Sequence, residues 1–252
     1  ISVLIIGAGH ISRQHLNSLT KIKEFYIYGI LSRTKKKSQI ISEDFNIPNV
    51  LTNYNELKKH IINIDMIMIC VDADQIIKVF YKINKYKKFI FFEKPIGINH
   101  IESQKISKIV NKLRLRTFVG LNRRHYSILN RGIEKLTSNR KKIVSLLIEG
   151  NERIWQIKKN PKHFKNIKNW PFINSIHTTD LIRYIGGEIN YKSFKSMKSK
   201  YSYFATMVSK DDILINYISN YDYYDGWSIK IYNNIGEYLI FKPLENCSLI
   251  TH

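Results

Sequence analysis

The sequence predicts an α/β protein in two parts: a doubly wound parallel sheet over residues 1–120, then an α+β domain with a mostly antiparallel open sheet over 121–252. Three observations predict it. Short apolar runs alternate with amphipathic stretches through the first half, and strands alternating with helices of that length require right-handed crossovers. The opening run, Ser2-Val-Leu-Ile-Ile, passes directly into the glycine turn Gly7-Ala8-Gly9. From Tyr191 onward, extended runs follow one another across short turns such as Asn233-Asn234-Ile235-Gly236, the pattern of antiparallel hairpins.

In chain order, Val3–Ile6 is predicted as a strand, and Ile11–Lys23 carries Ile11, Leu16, Leu19 and Ile22 at helical spacing. Phe25–Leu31 reads as a strand, Lys35–Phe45 as a helix closed by Asn46-Ile47-Pro48, and Val50-Leu51 as a short strand. Asn55–His60 is helical and Met66–Val71 a buried strand; Asp74–Lys85 is an amphipathic helix and Phe89–Phe92 a strand. Asn99 is placed to cap a helix running to Leu113, and Thr117–Val119 completes the sheet. The second part begins with helix Ile128–Leu136 and strand Ile143–Glu149, continues through a loop over 151–172, and then gives helix Ile176–Ile185, stopped by Gly186-Gly187. Strands are predicted at Tyr191–Met197, Tyr201–Val208, Ile213–Ser219, Trp227–Tyr232 and Tyr238–Phe241.

Composition narrows the function classes. A hydrophobic share of 44% with 24% charged residues suits a globular chain rather than a disordered one. No run approaches the roughly 20 apolar residues of a membrane span. The first residues form a strand rather than an export signal, although the chain opens on Ile1, so a few residues are expected to precede it. Cys70 and Cys247 show no metal or disulfide spacing, which predicts no metal site and a reducing, cytoplasmic home. The net charge of +21 attracts phosphate, but the lysines are spread along the chain without a helix-turn-helix, zinc finger or RRM signature. We therefore expect no specific nucleic-acid partner, and a field that favours anionic ligands such as a phosphorylated cofactor or nucleotide sugar.

Gly7-Ala-Gly-His-Ile-Ser12 matches the pattern G-x-G-x-x-G/A with serine at the third small position, and it follows a strand and opens a helix. Gly7 permits the tight turn, Gly9 lets the backbone approach a pyrophosphate, and the helix N-terminus supplies amide donors. A glycine-rich turn without a ligand is the alternative. The second strand ends at Ser32-Arg33-Thr34, followed by Lys35–Lys37, where an NAD-specific site would place a carboxylate. A hydroxyl and a guanidinium suit a 2′-phosphate, so NADP(H) is preferred and NAD(H) is the other option. The lysines otherwise only solvate a helix start.

Glu93-Lys94-Pro95 ends the fifth strand, with the proline removing the donor that would extend pairing. This run and the glycine turn together resemble the Gfo/Idh/MocA family of nicotinamide-dependent sugar oxidoreductases, whose Glu-Lys-Pro carries the active-site lysine. The resemblance implies a Rossmann domain, with cofactor contacts from Gly7, Gly9, His10, Ile11, Ser32, Arg33, Val71, Glu93 and Lys94. The segment Phe172–Gly187 resembles the one in which a histidine opens a helix and an aspartate follows three residues later. Lys94, His177 and Asp180 are then the catalytic residues, with His177 as general acid/base and Asp180 orienting it. Lys94, Asn122, Arg124, Asn174 and His177 are the substrate-binding set, Arg124 being placed to hold an anion. Lys162 or Lys165 would bind a phosphate or carboxylate, and aromatics in Tyr221–Trp227 would stack on a sugar, unless both segments are only solvated loop and hairpin packing.

The match departs from the family pattern at Ile173, where many relatives carry aspartate, and in the run Val71–Ile76. Relatives also run longer, so the second domain is expected to be truncated or short, and they form dimers or tetramers through its sheet. The expected function is NADP-dependent hydride transfer to or from a carbinol or carbonyl carbon of a sugar, sugar derivative or nucleotide sugar. The alternative is a non-catalytic NAD(P)-binding regulator or scaffold of the same fold.

Overall fold

The computed structural model describes residues 1–159 and 169–251. They divide into two compact units, Ile1–Gly120 and Leu121–His252.

In the first unit, β1 (Ser2–Ile6), β2 (Tyr26–Leu31), β3 (Asn49–Leu51), β4 (Met66–Ile69), β5 (Phe89–Phe92) and β6 (Thr117–Val119) form one sheet. The strand order is β3-β2-β1-β4-β5-β6, and its pairings are parallel. The helices α1 (His10–Leu19), α2 (Lys35–Phe45), α3 (Tyr54–His60), α4 (Ala73–Ile83) and α5 (His100–Leu113) connect the strands. Central strands covered on both faces are apolar, and β4 and all of β1 beyond Ser2 are. Alternation along them feeds two cores. Leu4, Ile6, Ile67 and Ile69 pack with Ile76, Phe80 and Ile83 of α4; Val3, Ile5, Met66 and Met68 pack with Leu16 of α1 and Ile41 of α2. Burying each such side chain contributes about 1.5–3 kcal/mol. Asn99 caps α5 as expected, its Oδ1 accepting from the Glu102 amide at 3.0 Å.

The second unit opens with α6 (Ser127–Leu136) and carries a seven-stranded sheet in the order β13-β12-β11-β7-β10-β9-β8. Its strands are β7 (Ile143–Gly150), β8 (Ile189–Lys198), β9 (Ser202–Ser209), β10 (Leu214–Asn220), β11 (Trp227–Asn233), β12 (Tyr238–Phe241) and β13 (Cys247–Ile250). Helix Ile176–Gly186 and α6 share a core with this sheet, where Leu129, Leu181 and Ile185 meet Ile148, Ile215 and Ile229. The helix stops at Gly187, whose φ is +81°.

The structure corrects several boundaries. α1 ends at Leu19 rather than Lys23, and β4 ends at Ile69, so Val71 lies beyond the strand. The loop expected over 151–172 contains the short helices Ile154–Ile157 and Trp170–Ile173. β10 pairs parallel with β7, against the expectation of hairpins alone, because the chain leaves the sheet after β7 and re-enters at β8. β13 was not anticipated: its residues Cys247–Ile250 alternate half-buried and exposed, a weak edge-strand pattern. Among the described residues no helix is long and apolar enough to cross a membrane.

Candidate active site

In the first unit, successive strand ends are stitched at one edge: Cys70 N donates to Ile6 O at 2.8 Å, Glu93 N to Ile69 O at 3.0 Å and Gly120 N to Phe92 O at 2.8 Å. Carboxyl ends of parallel strands are where ligands bind in such sheets. The glycine turn sits at this edge. Gly7 adopts φ +122°, and a β-carbon there would lie 2.1 Å from the Cys70 carbonyl oxygen, so only glycine fits. Its amide donates to Leu31 O at 2.8 Å, and the fully buried Ser12 donates its hydroxyl to Gly7 O at 2.9 Å. Serine thus fills the third small position and braces the turn.

Gly9 is different. A β-carbon on it would meet nothing within 4 Å, so its missing side chain keeps open space in front of α1. No acidic residue occupies the first turn of α1, and Gly9 supplies no side-chain cap. The leading amides of a helix have no partner within the helix itself. These residues therefore fit the pyrophosphate of a dinucleotide. His10 lies in this first turn, exposed, its Nε2 3.2 Å from Gln14 Nε2, with Ile11 exposed beside it. Half-buried Val71 approaches the turn, its Cγ1 standing 3.3 Å from the position a Gly7 β-carbon would take. At the end of β2, Ser32 Oγ pairs with Ser38 Oγ at 2.6 Å and donates to Thr34 O at 3.1 Å, while Arg33 is exposed.

At the end of β5 the Lys94–Pro95 bond is cis. Glu93 is buried; its Oε2 accepts the Lys94 amide at 3.1 Å and its Oε1 lies 2.6 Å from His15 Nε2. His15 also meets Phe91 edge-on, with centroids 5.2 Å apart. Burial and the nearby Glu93 carboxylate push the Cys70 thiol far up, which makes it a packing group rather than a nucleophile.

In the second unit, His177 lies in the first turn of helix Ile176–Gly186, buried, with its ring centroid 5.9 Å from that of Trp227. Asp180 was expected to orient His177 and Arg124 to hold an anion. The structure pairs these two residues with each other: Arg124 Nε donates to Asp180 Oδ2 at 2.6 Å and its Nη2 donates to Oδ1. A guanidinium fork matches a carboxylate bidentately, and this hydrogen bonding raises the Arg124 pKa. Asn122 is exposed at the start of the single turn Asn122–His125.

Asn174 has a partner that sequence reasoning missed. Its Nδ2 donates to Glu152 Oε2 at 3.0 Å, and the same carboxylate accepts from Ser175 Oγ at 2.6 Å and Trp170 Nε1 at 2.8 Å. Glu152 and Asn174 line a cavity of about 510 Å³ together with Asn151, Gln156, Trp170 and Trp227. Glu152 lies two residues beyond β7, and a carboxylate just past the end of a buried strand was the available signal. Within Tyr221–Trp227 only part is positioned for a ligand: Trp227 lines the cavity, whereas Tyr224 is exposed against Trp155. Lys162 and Lys165 lie outside the described residues.

Comparison with known proteins adds three findings. Residues 1–121 match the family model GFO_IDH_MocA, described as an oxidoreductase family with an NAD-binding Rossmann fold. A myo-inositol 2-dehydrogenase of Thermotoga maritima is 24% identical over 190 residues, which are 73% of this chain and 54% of that protein. The chain thus spans about half the length of that relative. A dehydrogenase from Chromobacterium violaceum superposes with a TM-score of 0.82 at 13% identity, covering 99% of this chain and 74% of that one. Levoglucosan dehydrogenase, in complex with NADH and levoglucosan, gives 0.77 at 14% identity, covering 96% and 73%. At these identities the structural likeness is one of fold.

Proposed function

We infer, from the match of residues 1–121 to the Gfo/Idh/MocA oxidoreductase model, that this protein is a member of that family, an oxidoreductase acting on a sugar, sugar derivative or nucleotide sugar with NADP(H) preferred over NAD(H). The carrying observation is the glycine turn, where Gly7 is obligatory for the backbone and Gly9 holds space open before a helix N-terminus. Gly7, Gly9, His10 and Ile11 would hold the pyrophosphate, with Val71 and Glu93 beside it. Ser32 and Arg33 would meet the adenosine ribose, and the absence of a carboxylate from Ser32-Arg33-Thr34 supports a 2′-phosphate there. A bound nicotinamide supplies or accepts hydride at its C4.

The chain's own residues handle the rest. His177 would take or return a substrate hydroxyl proton at its imidazole, and Lys94 would position and polarise a substrate oxygen. Asp180, paired with Arg124, braces the helix that carries His177. The Thermotoga maritima relative is named for myo-inositol and a structural neighbour holds NADH with levoglucosan, which supports a nicotinamide and a polyhydroxylated ring as ligand classes. The reading includes a homodimer or homotetramer through the second unit's sheet, supported by exposed Phe194, Met197 and Leu214. It also includes a cytoplasmic home, supported by the free thiols of Cys70 and Cys247. Ile173 and the Arg124–Asp180 pair favour the second reading, a non-catalytic NAD(P)-binding regulator or scaffold.

Titrating NADPH and NADH against the protein and an Arg33→Ala variant tests the cofactor half. NADPH binding about tenfold tighter, with the preference lost in Arg33→Ala, is expected from loss of a guanidinium–phosphate contact. Equal affinity, or tighter NADH, overturns the NADP preference; no binding of either overturns the whole reading.

A further inference from the structure

We propose that Glu152 is a positioning residue that fixes the Asn174 amide so that its carbonyl oxygen faces the second unit's cavity, as an acceptor for a ligand hydroxyl. The proposal rests on the sugar-oxidoreductase reading and adds a specificity element to it.

Glu152 cannot swing freely. Its amide donates to Asn220 O at 2.9 Å, its carbonyl accepts from Tyr223 N at 3.1 Å, and the residue is 3% exposed. Its carboxylate accepts from Trp170 Nε1, Ser175 Oγ and Asn174 Nδ2. An ionised carboxylate has no proton to give, so it selects the NH₂ branch of any amide beside it. The orientation of Asn174 is therefore set by chemistry rather than left to an arbitrary amide flip. Its Oδ1 lies on the opposite branch of a planar group, and among the described residues none donates to it.

Asn174 and Glu152 both line the cavity of about 510 Å³, a volume within the range of small-ligand sites. The wall they form is an acceptor backed by a negative charge. Such a wall attracts an O–H donor, and Arg153, which lines the same cavity, supplies a cation beside it. Trp170 and Trp227 add indole surfaces on which the C–H face of a ring can pack. The same carboxylate holds Ser175, the residue preceding helix Ile176–Gly186, so one anion sets both the acceptor and the start of the helix bearing His177.

The test is an exchange of polarity. Wild type, Glu152→Gln, Asn174→Ala and the double variant Glu152→Gln/Asn174→Asp are titrated with myo-inositol as neutral probe. Tryptophan fluorescence and saturation-transfer NMR read binding, and thermal melts show that each variant is folded. In Glu152→Gln the amide at 152 no longer demands the NH₂ of Asn174, and myo-inositol affinity falls about tenfold, the value of a lost hydrogen bond to a charged network. Asn174→Ala falls comparably. The double variant restores a donor at 152 and acceptors at 174, and recovers affinity to within about threefold of wild type, whereas a purely structural role for Glu152 predicts no such rescue. Unchanged affinity in Glu152→Gln, a double variant no better than the single, or no saturable myo-inositol binding overturns the proposal. Failure of the oxidoreductase reading is distinguishable: it appears as absent NADPH and NADH binding with myo-inositol binding intact.

Discussion

His15 Nε2 lies 2.6 Å from Glu93 Oε1, and the second Glu93 oxygen accepts the Lys94 amide at 3.1 Å. One carboxylate therefore joins the helix that follows the glycine turn to the strand end that carries Lys94. Replacing His15 by alanine deprives a buried carboxylate of its ring partner and is expected to cost about 1–3 kcal/mol. His15→Gln keeps an N–H donor and recovers most of that loss. Urea denaturation at constant m-value measures both; equal destabilisation by the two variants contradicts the link.

Gly7 and Gly9 separate folding from binding. A Gly7→Ala β-carbon would lie 2.1 Å from the Cys70 carbonyl oxygen at a φ of +122°, whereas a Gly9→Ala β-carbon meets nothing within 4 Å. Gly7→Ala is expected to cost more than about 3 kcal/mol through combined strain and overlap. Gly9→Ala leaves the melting temperature near wild type and weakens NADPH about tenfold or more, because the added methyl occupies the space a pyrophosphate needs. Melting curves and NADPH titration of both variants check this; a Gly9→Ala variant that binds NADPH like wild type contradicts it.

Arg124 and Asp180 form an asymmetric pair, since the Asp180 side chain is 6% exposed and that of Arg124 is 37% exposed. Removing the cation strands a buried carboxylate, so Arg124→Met is expected to cost about 2–4 kcal/mol. Asp180→Asn leaves a guanidinium that water can reach, and is expected to cost about 1 kcal/mol. Chemical denaturation orders the two variants, and the reverse order contradicts the assignment.

Asp225 predicts a pH dependence. Its bond to Lys242, at 2.6 Å, holds its carboxyl below the usual range and raises Lys242. A carboxyl depressed in the folded state contributes stability that is complete above its unfolded value, about 3.9, and lost as pH falls through the lower folded value. Wild type should therefore melt slightly above Asp225→Asn at neutral pH, with the gap closing in strong acid. The gap is small because solvent screens both exposed groups. A gap that widens toward acid contradicts the assignment.

The first unit was legible in the sequence almost residue by residue because its signals are local. Apolar strands, the glycine turn, the Asn99 cap and the Glu93-Lys94-Pro95 strand end each announce themselves within a few positions. The second unit was legible in outline only. Helix Ile176–Gly186 and most strands follow from periodicity, but the parallel β7–β10 pairing depends on where the chain re-enters the sheet. The polar network was hidden for the same reason. Glu152 lies 22 residues from Asn174 and 23 from Ser175, and Arg124 lies 56 from Asp180. Helical spacing pointed to Asp180 beside His177, whereas the guanidinium fork that reaches the same carboxylate comes from a distant turn with no local signal.

Hydride transfer tests the central claim most directly. Reduction of NADP⁺ is followed by the absorbance of the reduced nicotinamide that hydride transfer produces, with a panel of neutral polyols, free sugars and nucleotide sugars, for wild type and for His177→Asn and Lys94→Met. The account predicts reduction with at least one member of the panel, lost about 10²-fold or more in either variant. Tight NADP⁺ binding with no reduction across the panel would contradict it, and would identify the chain as a cofactor-binding protein without turnover.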